Sequence, residues 1–319
     1  MNVGIIGAGK IARKMAGTIA MMDAAGMGVK CTAIASRELS RAQEFASANG
    51  LAKAYGSYAE MLEDPDIDLV YVATPHSHHF AHASMAIEAG KPVLCEKAFT
   101  ANAREAEELL DLAHRKGVFI TEAIWTRYMP LPRRIIEAIE GGCIGTPYAL
   151  AASLSYPLTH IPRIMQPELA GGALLDLGVY CLNFARMVFG TDIESFSSQA
   201  VIGPTGVDMQ ESVALKFRGG RLAQLYSGAL CRTDSHGLIY GTEGYIDIGN
   251  VNIPRSAVIR HSDGSEEVLD TDEWLTGYEF EVLACRDALA AGLIECPQMP
   301  HGETLAIMKL MDSLRENWK

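Results

Sequence analysis

The first 121 residues alternate short apolar runs with segments whose apolar positions recur at helical spacing. Uninterrupted apolar runs predict parallel strands, because both faces of such strands are covered. We predict strands at residues 3–6, 29–35, 52–55, 68–73, 92–95 and 118–121. A first helix follows the first strand directly, and further helices are predicted at residues 39–49, 57–62, 76–90 and 102–116. This alternation predicts an α/β fold with a doubly wound parallel sheet of the Rossmann type.

The pattern changes after Glu122. Alternating polar and apolar positions predict strands at residues 147–155, 212–217, 222–226, 237–240 and 245–248. Helices are predicted at residues 131–140, 176–189, 278–291 and 302–314. Strands separated by turns predict a mostly antiparallel or mixed sheet, which can leave one face free. We therefore expect a dinucleotide-binding domain at 1–121 and an α+β domain with a large open sheet at 122–319, with the C-terminal helix able to pack back on the first domain.

Composition narrows the class of protein. The chain has 319 residues, 49% hydrophobic and 21% charged, which fits two ordinary globular domains. Its formal net charge of −12 argues against nucleic acid or anionic membranes as partners, since both bind basic surfaces. Seven scattered cysteines without a CxxC pair favour reduced thiols in the cytoplasm. We expect no signal peptide, because the N-terminus is itself a strand, and no apolar run approaching the roughly 18 residues of a membrane span.

A glycine turn joins the first strand to the first helix, in the sequence Gly7-Ala8-Gly9-Lys10-Ile11-Ala12. Strand, glycine turn and helix start follow in the order that a dinucleotide-binding βαβ unit requires. Gly7 permits the tight turn, Gly9 lets the backbone approach a pyrophosphate, and Ala12 is small enough for close packing of helix on strand. The first-turn N–H groups would face the phosphates.

The residues after the second strand bear on the choice of cofactor. An Asp or Glu at this place accepts hydrogen bonds from the ribose 2′-hydroxyl of NAD, whereas an arginine accommodates the 2′-phosphate of NADP. Here Ser36 and Arg37 stand at the position, and the nearest acid is Glu38. A guanidinium bonds a phosphate that a carboxylate would repel. The sequence therefore favours NADP, with NAD as the alternative. The other explanation of Arg37 is a solvated residue that has no part in the choice of cofactor.

Four segments together resemble the glucose–fructose oxidoreductase, inositol dehydrogenase and rhizopine-catabolism (Gfo/Idh/MocA) family. They are GIIGAGKIA, ATPHSHH, CEKAFT and GGALLDLGVYCLN, and they occur in family order and at family spacing over essentially the whole chain. The stretch EAIWTR at residues 122–127 further resembles the branch of dimeric dihydrodiol dehydrogenases, which also oxidise D-xylose. The resemblance implies a substrate site between the two domains and homo-oligomerisation through the open sheet.

The resemblance also implies roles for individual residues. Lys97 corresponds to the lysine of the family's Glu-Lys-Pro motif, beside nicotinamide and substrate, and Asp176 and Tyr180 correspond to the polar pair of the GGxxxDxGxxx(H/Y) motif. The nicotinamide side is implied to be lined by Thr74, Pro75, His76 and His79, with Glu96 next to Lys97. Ala98 departs from the family proline. Because a cis bond before a non-proline residue costs about 3 kcal/mol or more, we expect Lys97 to approach by a different backbone route.

The chemistry of hydride transfer assigns tasks to three of these side chains. Asp176 and Tyr180 are four residues apart on a predicted helix and hence on one face. Hydride transfer to a carbonyl leaves negative charge on oxygen, which a proton donor stabilises. Tyrosine has a pKa of about 10, and a neighbouring ammonium lowers it. We predict Tyr180 as acid and base, Lys97 as its electrostatic partner, and Asp176 as the group that orients them. The roles of Lys97 and Tyr180 could be exchanged. The structural alternatives are that Asp176 is a helix N-cap and that Tyr180 is a core tyrosine.

The remaining candidates are weaker. His76, His78, His79 and His82 are clustered, but no HExxH motif or carboxylate partner accompanies them, which argues against a metal site. By resemblance, Trp125 and Leu177 would line the substrate ring. Arg127 is either a substrate contact or a structural residue.

These observations predict an NADP-dependent oxidoreductase that acts on an alcohol, hemiacetal or carbonyl of a small sugar-like or cyclic diol substrate. The alternatives are an NAD-dependent sugar or inositol dehydrogenase of the same family and a dinucleotide-binding sensor without catalysis. Of these, the sensor is disfavoured because Lys97, Asp176 and Tyr180 are all present.

Overall fold

Six parallel strands form the sheet of the N-terminal part of the chain in a computed structural model, which describes residues 1–271 and 273–318. The strands are β1 Asn2–Ile6, β2 Lys30–Ala35, β3 Lys53–Tyr55, β4 Leu69–Val72, β5 Val93–Glu96 and β6 Ile120–Ala123. They lie in the order β3-β2-β1-β4-β5-β6. This order reverses direction between β1 and β4, and the carboxyl ends of strands at such a point form the crevice in which α/β sheets bind ligands.

Helices join these strands, as the alternating pattern predicts. Their bounds are α1 Lys10–Ala24, α2 Leu39–Asn49, α3 Tyr58–Leu62, α4 His76–Glu88 and α5 Ala103–Lys116. β4 is buried along its whole length, which explains its uninterrupted apolar run. Asn102 caps α5 by accepting a hydrogen bond from the backbone N–H of Glu105, and Gly117 ends this helix in the left-handed conformation. The predicted Rossmann-type sheet is confirmed.

An eight-stranded sheet forms the second part of the chain. Its strands are β7 Pro147–Ser155, β8 Ile193–Ile202, β9 Asp208–Phe217, β10 Arg221–Gly228, β11 Gly237–Gly241, β12 Gly244–Ile248, β13 Ser256–His261 and β14 Glu266–Asp270. They lie in the order β14-β13-β12-β11-β7-β10-β9-β8. Within this sheet, only β7 and β10 pair in parallel among the described strands, and every other pairing is antiparallel. The predicted large, mostly antiparallel sheet is therefore confirmed.

One face of this sheet is covered and the other is open. The covering elements are α6 Pro130–Glu140, the short α7 Pro162–Met165, a π-helical turn Leu174–Gly178 and α8 Val179–Phe189. On β9, Val213, Leu215 and Phe217 are buried beneath them, whereas Ser212 and Lys216 alternate onto the opposite, exposed face. This period of two is typical of a half-buried antiparallel strand.

The chain divides into two compact units at positions that differ from the predicted boundary. The first unit contains residues 1–125 and 274–308, and the second contains residues 126–273 and 309–319. The predicted boundary at 121/122 falls inside β6, whose pairing with β5 keeps it in the first sheet. α9 Glu279–Ala290 belongs to the first unit, while α10 His301–Glu316 contains residues of both.

One stretch of the described chain, Pro167–Phe189, has the length and composition of a membrane-spanning helix. This differs from the expectation that no segment approaches that length. In its most apolar window 83% of the residues are buried inside the fold. A helix that is apolar on all sides is what a core position requires, and this accounts for its composition.

A carboxyl group without a hydrogen-bond partner lies in the core of the first unit. Glu281, on α9, is fully buried, and among the described residues neither of its carboxyl oxygens has a hydrogen-bond partner. Burial raises the pKa of Glu281 well above its ordinary value, and the negative charges of Glu96 and Glu279 add to the shift. Burial without hydrogen-bond partners therefore favours the protonated, uncharged form of Glu281 in the folded protein.

We predict that Glu281 makes the free energy of unfolding decrease as the pH rises above about 4.3, the ordinary pKa of glutamate in an unfolded chain. Above that pH the unfolded chain has released the proton that the folded protein still holds, so the contribution of this residue falls by about 1.4 kcal/mol per pH unit. Urea unfolding of wild type and Glu281→Gln between about pH 5 and pH 8 measures this contribution. The pH dependence of all other titratable groups cancels in the difference between the two proteins. The stability of wild type relative to E281Q should decline steadily with pH. Parallel curves would contradict the assignment, and the exposed Glu108→Gln serves as the control.

Candidate active site

The glycine turn after β1 shows why its first residue is glycine. Gly7 has φ +100°, and its N–H donates to the carbonyl oxygen of Ala35 at 3.0 Å. A Cβ atom at this position would lie 2.9 Å from Cγ2 of Thr74 and 3.0 Å from the carbonyl oxygen of Ala73. The backbone conformation and the neighbouring loop therefore both require glycine here.

Gly9 is glycine for a different reason. Its φ of −92° is open to any residue, and among the described atoms a Cβ here would meet only the Ala73 carbonyl oxygen, at 3.9 Å. Gly9 is the N-cap of α1, and no described side chain caps this helix. A Cβ would point into space that the protein leaves open, beside uncapped N–H groups. This arrangement fits a pyrophosphate, which needs close backbone approach and donors at a helix N-terminus.

The residues next to Gly9 differ in their burial. Ala8 and Ile11 are half-buried and Lys10 is exposed, whereas Ala12 is fully buried against the sheet. Ala12 thus has the packing role that the sequence predicts for the third small residue of the motif.

Two arginines lie near one phenol at the end of β2. Ser36 is buried and Arg37 is exposed. Burial raises the pKa of Tyr58, and the positive charges of Arg37 and Arg41 oppose that shift. Arg41, in the first turn of α2, was outside the predicted site. No signal in the sequence spacing pointed to it, because Arg37 precedes the helix and the extended N-cap Glu38 stands between the two arginines.

His79 holds together the loops that follow β4 and β5. It is fully buried, with Nε2 2.7 Å from the carbonyl oxygen of Thr74 and Nδ1 2.9 Å from that of Ala98. Burial lowers the pKa of His79 to about 4, against the opposing effect of these carbonyl groups. An uncharged ring has a single N–H, so His79 lies between the two loops and donates to one of these two carbonyl oxygens. Its contact with a nicotinamide stays a prediction.

The other histidines and Pro75 are arranged along the first turns of α4. Pro75 is the N-cap of this helix, His76 is buried with its ring 5.7 Å from that of His79, and His82 Nδ1 lies 3.0 Å from Thr74 Oγ1. Within residues 1–271 and 273–318, no group of three or more His, Cys, Asp or Glu residues could hold a metal ion.

Lys97 follows β5 directly, at the carboxyl end of the sheet. It is half-buried, and its backbone N–H donates to Oε2 of Glu96 at 3.2 Å. Oε1 of Glu96 accepts a hydrogen bond from the phenol of Tyr71, which is fully buried on β4. Glu96 thus supports the Lys97 backbone from within the core.

The expectation that Lys97 takes a different backbone route because Ala98 replaces proline is wrong. The Lys97–Ala98 peptide bond is cis. The N–H of Phe99 donates to Oε1 of Glu122 at 3.1 Å, and His79 lies against the carbonyl oxygen of Ala98. These contacts of neighbouring elements fix the path of the segment without a proline ring.

Asp176 and Tyr180 lie in the second unit, at the start of the buried helix. Asp176 is in the π-helical turn and Tyr180 is in the first turn of α8, and their exposed fractions are 5% and 8%. A guanidinium N–H of Arg163 donates to Oδ1 of Asp176 at 2.9 Å. The sequence predicted a regular helix from Asp176, whereas the structure has a π turn, a feature that is frequent at functional sites. Arg163 was not predicted, because it comes from the separate α7.

Arg127 forms a hydrogen-bonded pair with Asn183, which follows Tyr180 by three residues on α8. Nε of Arg127 donates to Oδ1 of Asn183 at 2.6 Å, and Nδ2 of Asn183 donates to the carbonyl oxygen of Val179 at 2.8 Å. These bonds support the interpretation of Arg127 as a structural residue, and its contact with a substrate stays a prediction.

The two predicted apolar contacts differ in their surroundings. Leu177 is buried in the π turn. Trp125 is buried and stacks on Tyr278 with ring centres 4.4 Å apart, and the Lys14 ammonium lies 4.6 Å from the Tyr278 ring centre. Their contact with a substrate ring stays a prediction.

The candidate residues fall into two groups by unit. The glycine turn, Ser36, Arg37, the α4 residues and Lys97 belong to the first unit, and Arg127, Asp176, Leu177 and Tyr180 belong to the second. The first group can hold a dinucleotide, and the second offers the phenol of Tyr180 and the carboxylate of Asp176, which is paired with Arg163. That Lys97 and Tyr180 act together stays a prediction.

Family profiles match both parts of the chain. Residues 1–123 match the oxidoreductase family with NAD-binding Rossmann fold, and residues 133–247 match the GFO/IDH/MocA C-terminal domain. Trans-1,2-dihydrobenzene-1,2-diol dehydrogenase from Danio rerio is 36% identical over 98% of this chain and 95% of its own length. The Mus musculus enzyme of the same name is 34% identical, with 98% and 95% covered.

Solved structures of the same architecture cover the whole chain. A 3-ketoreductase from Actinomadura kijaniata, in complex with NADP and TDP-benzene, has a TM-score of 0.88 and 27% identity, with 100% of this chain and 98% of that chain covered. An aldose-aldose oxidoreductase from Caulobacter crescentus shares the fold, with a TM-score of 0.88 at 18% identity and 99% and 96% covered. The chain therefore belongs to the GFO/IDH/MocA family of NAD(P)-dependent oxidoreductases.

Proposed function

We propose that this protein is an NADP-dependent dehydrogenase or reductase acting on an alcohol, hemiacetal or carbonyl of a small sugar-like or cyclic diol substrate. The observation that carries the proposal is the nearly buried pair of Asp176 and Tyr180 at the start of α8, beside the guanidinium of Arg163. Relatives named trans-1,2-dihydrobenzene-1,2-diol dehydrogenase support the diol as substrate class.

In this proposal each side chain has a defined task. The bound nicotinamide would supply or accept the hydride. Tyr180 gives a proton from its phenol oxygen to the substrate oxygen during reduction and takes it back during oxidation. Lys97, through its ammonium charge, favours the phenolate form of Tyr180. Asp176, held by Arg163, accepts a hydrogen bond from a substrate hydroxyl and orients it.

The preference for NADP has its support at the end of β2. Arg37 and Arg41 both lie near Tyr58, so two positive charges are close together in this part of the first unit. A 2′-phosphate needs such donors, and Ser36 offers a further hydroxyl. The complex of the Actinomadura ketoreductase with NADP agrees with this choice. An NAD-dependent sugar or inositol dehydrogenase remains the second candidate, since Glu38 follows Arg37 directly.

We also propose that the open sheet face joins copies of this chain into a homodimer or higher oligomer. Leu222 and Tyr240 are 51% and 40% exposed, and both lie next to Ala149 on the outer face of the central strands. Apolar side chains at the centre of a sheet face favour burial by a partner surface. The seven cysteines are scattered along the sequence without a CxxC pair, which supports a reducing compartment such as the cytoplasm.

Replacing Arg37 by Asp should weaken NADP(H) binding at least about tenfold and leave NAD(H) binding within about twofold, because a carboxylate repels only the 2′-phosphate. Fluorescence titration of the purified variant with both reduced cofactors measures the two dissociation constants. Arg104→Asp, on the exposed surface of α5, controls for the change of net charge. Equal losses for both cofactors would sink the 2′-phosphate assignment.

Replacing Tyr180 by Phe should lower kcat about 100-fold while the NADP dissociation constant stays unchanged, because the proton donor is lost and the ring is kept. Steady-state kinetics and cofactor titration check this, with Tyr148→Phe, an exposed tyrosine on β7, as the matched control. If Y180F retains full turnover while Lys97→Met does not, Lys97 is the proton donor. If both retain it, the acid–base assignment fails.

Replacing Leu222 by Glu should dissociate the oligomer, since a charge at the centre of an apolar interface is desolvated without a partner. Light scattering after gel filtration measures the mass. Leu293→Glu, an exposed leucine of the first unit, should leave it unchanged. A wild-type protein of monomer mass at micromolar concentration would contradict the proposed assembly.

A further inference from the structure

The π-helical turn that contains Asp176 lies on the inner face of the eight-stranded sheet, over β9 and β10. Two acidic side chains of β9, Asp208 and Glu211, face this turn, with exposed fractions of 8% and 2%. Neither belongs to the site described so far. Buried acids are uncommon unless their oxygens have partners, so the contacts of these two residues indicate their purpose.

Asp208 holds the N-terminal end of the turn. Its Oδ2 accepts a hydrogen bond from the backbone N–H of Leu174 at 2.6 Å. Gly172, just before the turn, has φ +107°, and a Cβ there would lie 2.3 Å from Oδ1 of Asp208. Only a glycine lets the carboxylate approach this closely.

Glu211 holds the C-terminal end. Its Oε1 accepts a hydrogen bond from the hydroxyl of Ser227, the residue opposite it on β10. A Cβ on Gly178 would lie 2.7 Å from this Oε1 and 3.0 Å from Oγ of Ser227. The last residue of the turn therefore rests directly on the pair formed by Glu211 and Ser227.

The charge state of Glu211 follows from its surroundings. Burial raises the pKa of Glu211 well above its ordinary value, and the charge of Asp208 adds to this. The other titratable groups near it are the thiol of Cys181 and the phenol of Tyr226, both of which carry a raised pKa. Its burial thus favours the neutral carboxylic acid form of Glu211, and a carboxamide is the neutral replacement of the same shape.

We propose that Asp208 and Glu211 are positioning residues for the reaction, which fix the two ends of the π-helical turn 174–178 and thereby set the orientation of Asp176 and Tyr180. Asp176 lies midway between the two anchored residues, and Tyr180 follows the second anchor by two residues. A displacement of the order of 1 Å at a reacting group can cost about 100-fold in rate. The effect on catalysis rests on the proposed function, whereas the effect on geometry does not.

The test compares truncations with conservative replacements at both sites. Asp208→Ala and Glu211→Ala remove the anchors, whereas Asp208→Asn keeps an acceptor for the Leu174 N–H and Glu211→Gln keeps a neutral group of the same shape. Ser155→Ala, a buried serine on β7 that bonds the Gly228 carbonyl oxygen, is the matched control. The protein is labelled with ¹³C at the phenol carbon of tyrosine, and the resonance of Tyr180 is assigned by its loss in Y180F.

The alanine variants should shift the Tyr180 resonance and its titration midpoint, and lower kcat about tenfold or more with an unchanged cofactor dissociation constant. D208N, E211Q and S155A should remain within about threefold of the wild-type kcat. A purely structural role would lower the unfolding midpoint but leave the resonance, its titration and kcat per folded molecule as in wild type, and that result overturns the proposal.

Two further outcomes separate this inference from the proposed function. If the resonance shifts in D208A and E211A while Y180F retains full turnover, the positioning role of Asp208 and Glu211 is supported. The assignment of Tyr180 as acid and base is then wrong. If the alanine variants do not fold, Gly178→Ala replaces them, because its Cβ would collide with the Glu211 carboxyl. Gly17→Ala, in an open position of α1, is its control. A Tyr180 resonance at the wild-type position in folded G178A would then overturn the proposal.

Discussion

Irregular backbone carries the candidate reacting groups, and buried carboxyl groups hold that backbone in place. A buried N–H must find an acceptor, and in a loop or a π turn the regular ladders do not supply one. Glu122 accepts from Phe99, Glu96 from Lys97, and Asp208 from Leu174. In this way the segments around Lys97 and Asp176 are each fixed from the core beneath them.

The same constraint explains where glycine occurs. At Gly172 and Gly178 the absent Cβ makes room for a carboxyl group of the protein, and at Gly7 it makes room for the neighbouring loop. At Gly9 the protein itself requires no such room. The motif therefore combines a glycine that the fold needs with one that a ligand explains, and this distinction supports the dinucleotide site independently of the family.

Much of the fold could be predicted because its signals are local. Continuous apolar runs such as β4, and the glycine motif that follows β1, can be recognised from neighbouring residues alone, and parallel strands leave little ambiguity about burial. The π turn, the partner Arg163 and the anchor Glu211 depend on contacts between residues far apart in sequence. Spacing along the chain does not encode such contacts. The prediction of a different backbone route for Lys97 was wrong for the same reason. The acceptor for the N–H of Phe99, next to Ala98, is Glu122 on another strand.

We propose that Tyr180 and its neighbours serve hydride transfer with NADP. The most direct test mixes the purified protein with NADP⁺ and a panel of trans-dihydrodiols and aldoses carrying deuterium at the reacting carbon, and follows the absorbance of the reduced nicotinamide. We expect turnover with at least one of them, faster with NADP⁺ than with NAD⁺, and deuterium in the NADPH formed. Tight NADPH binding without turnover on any substrate, in either direction, would contradict it and favour a sensor.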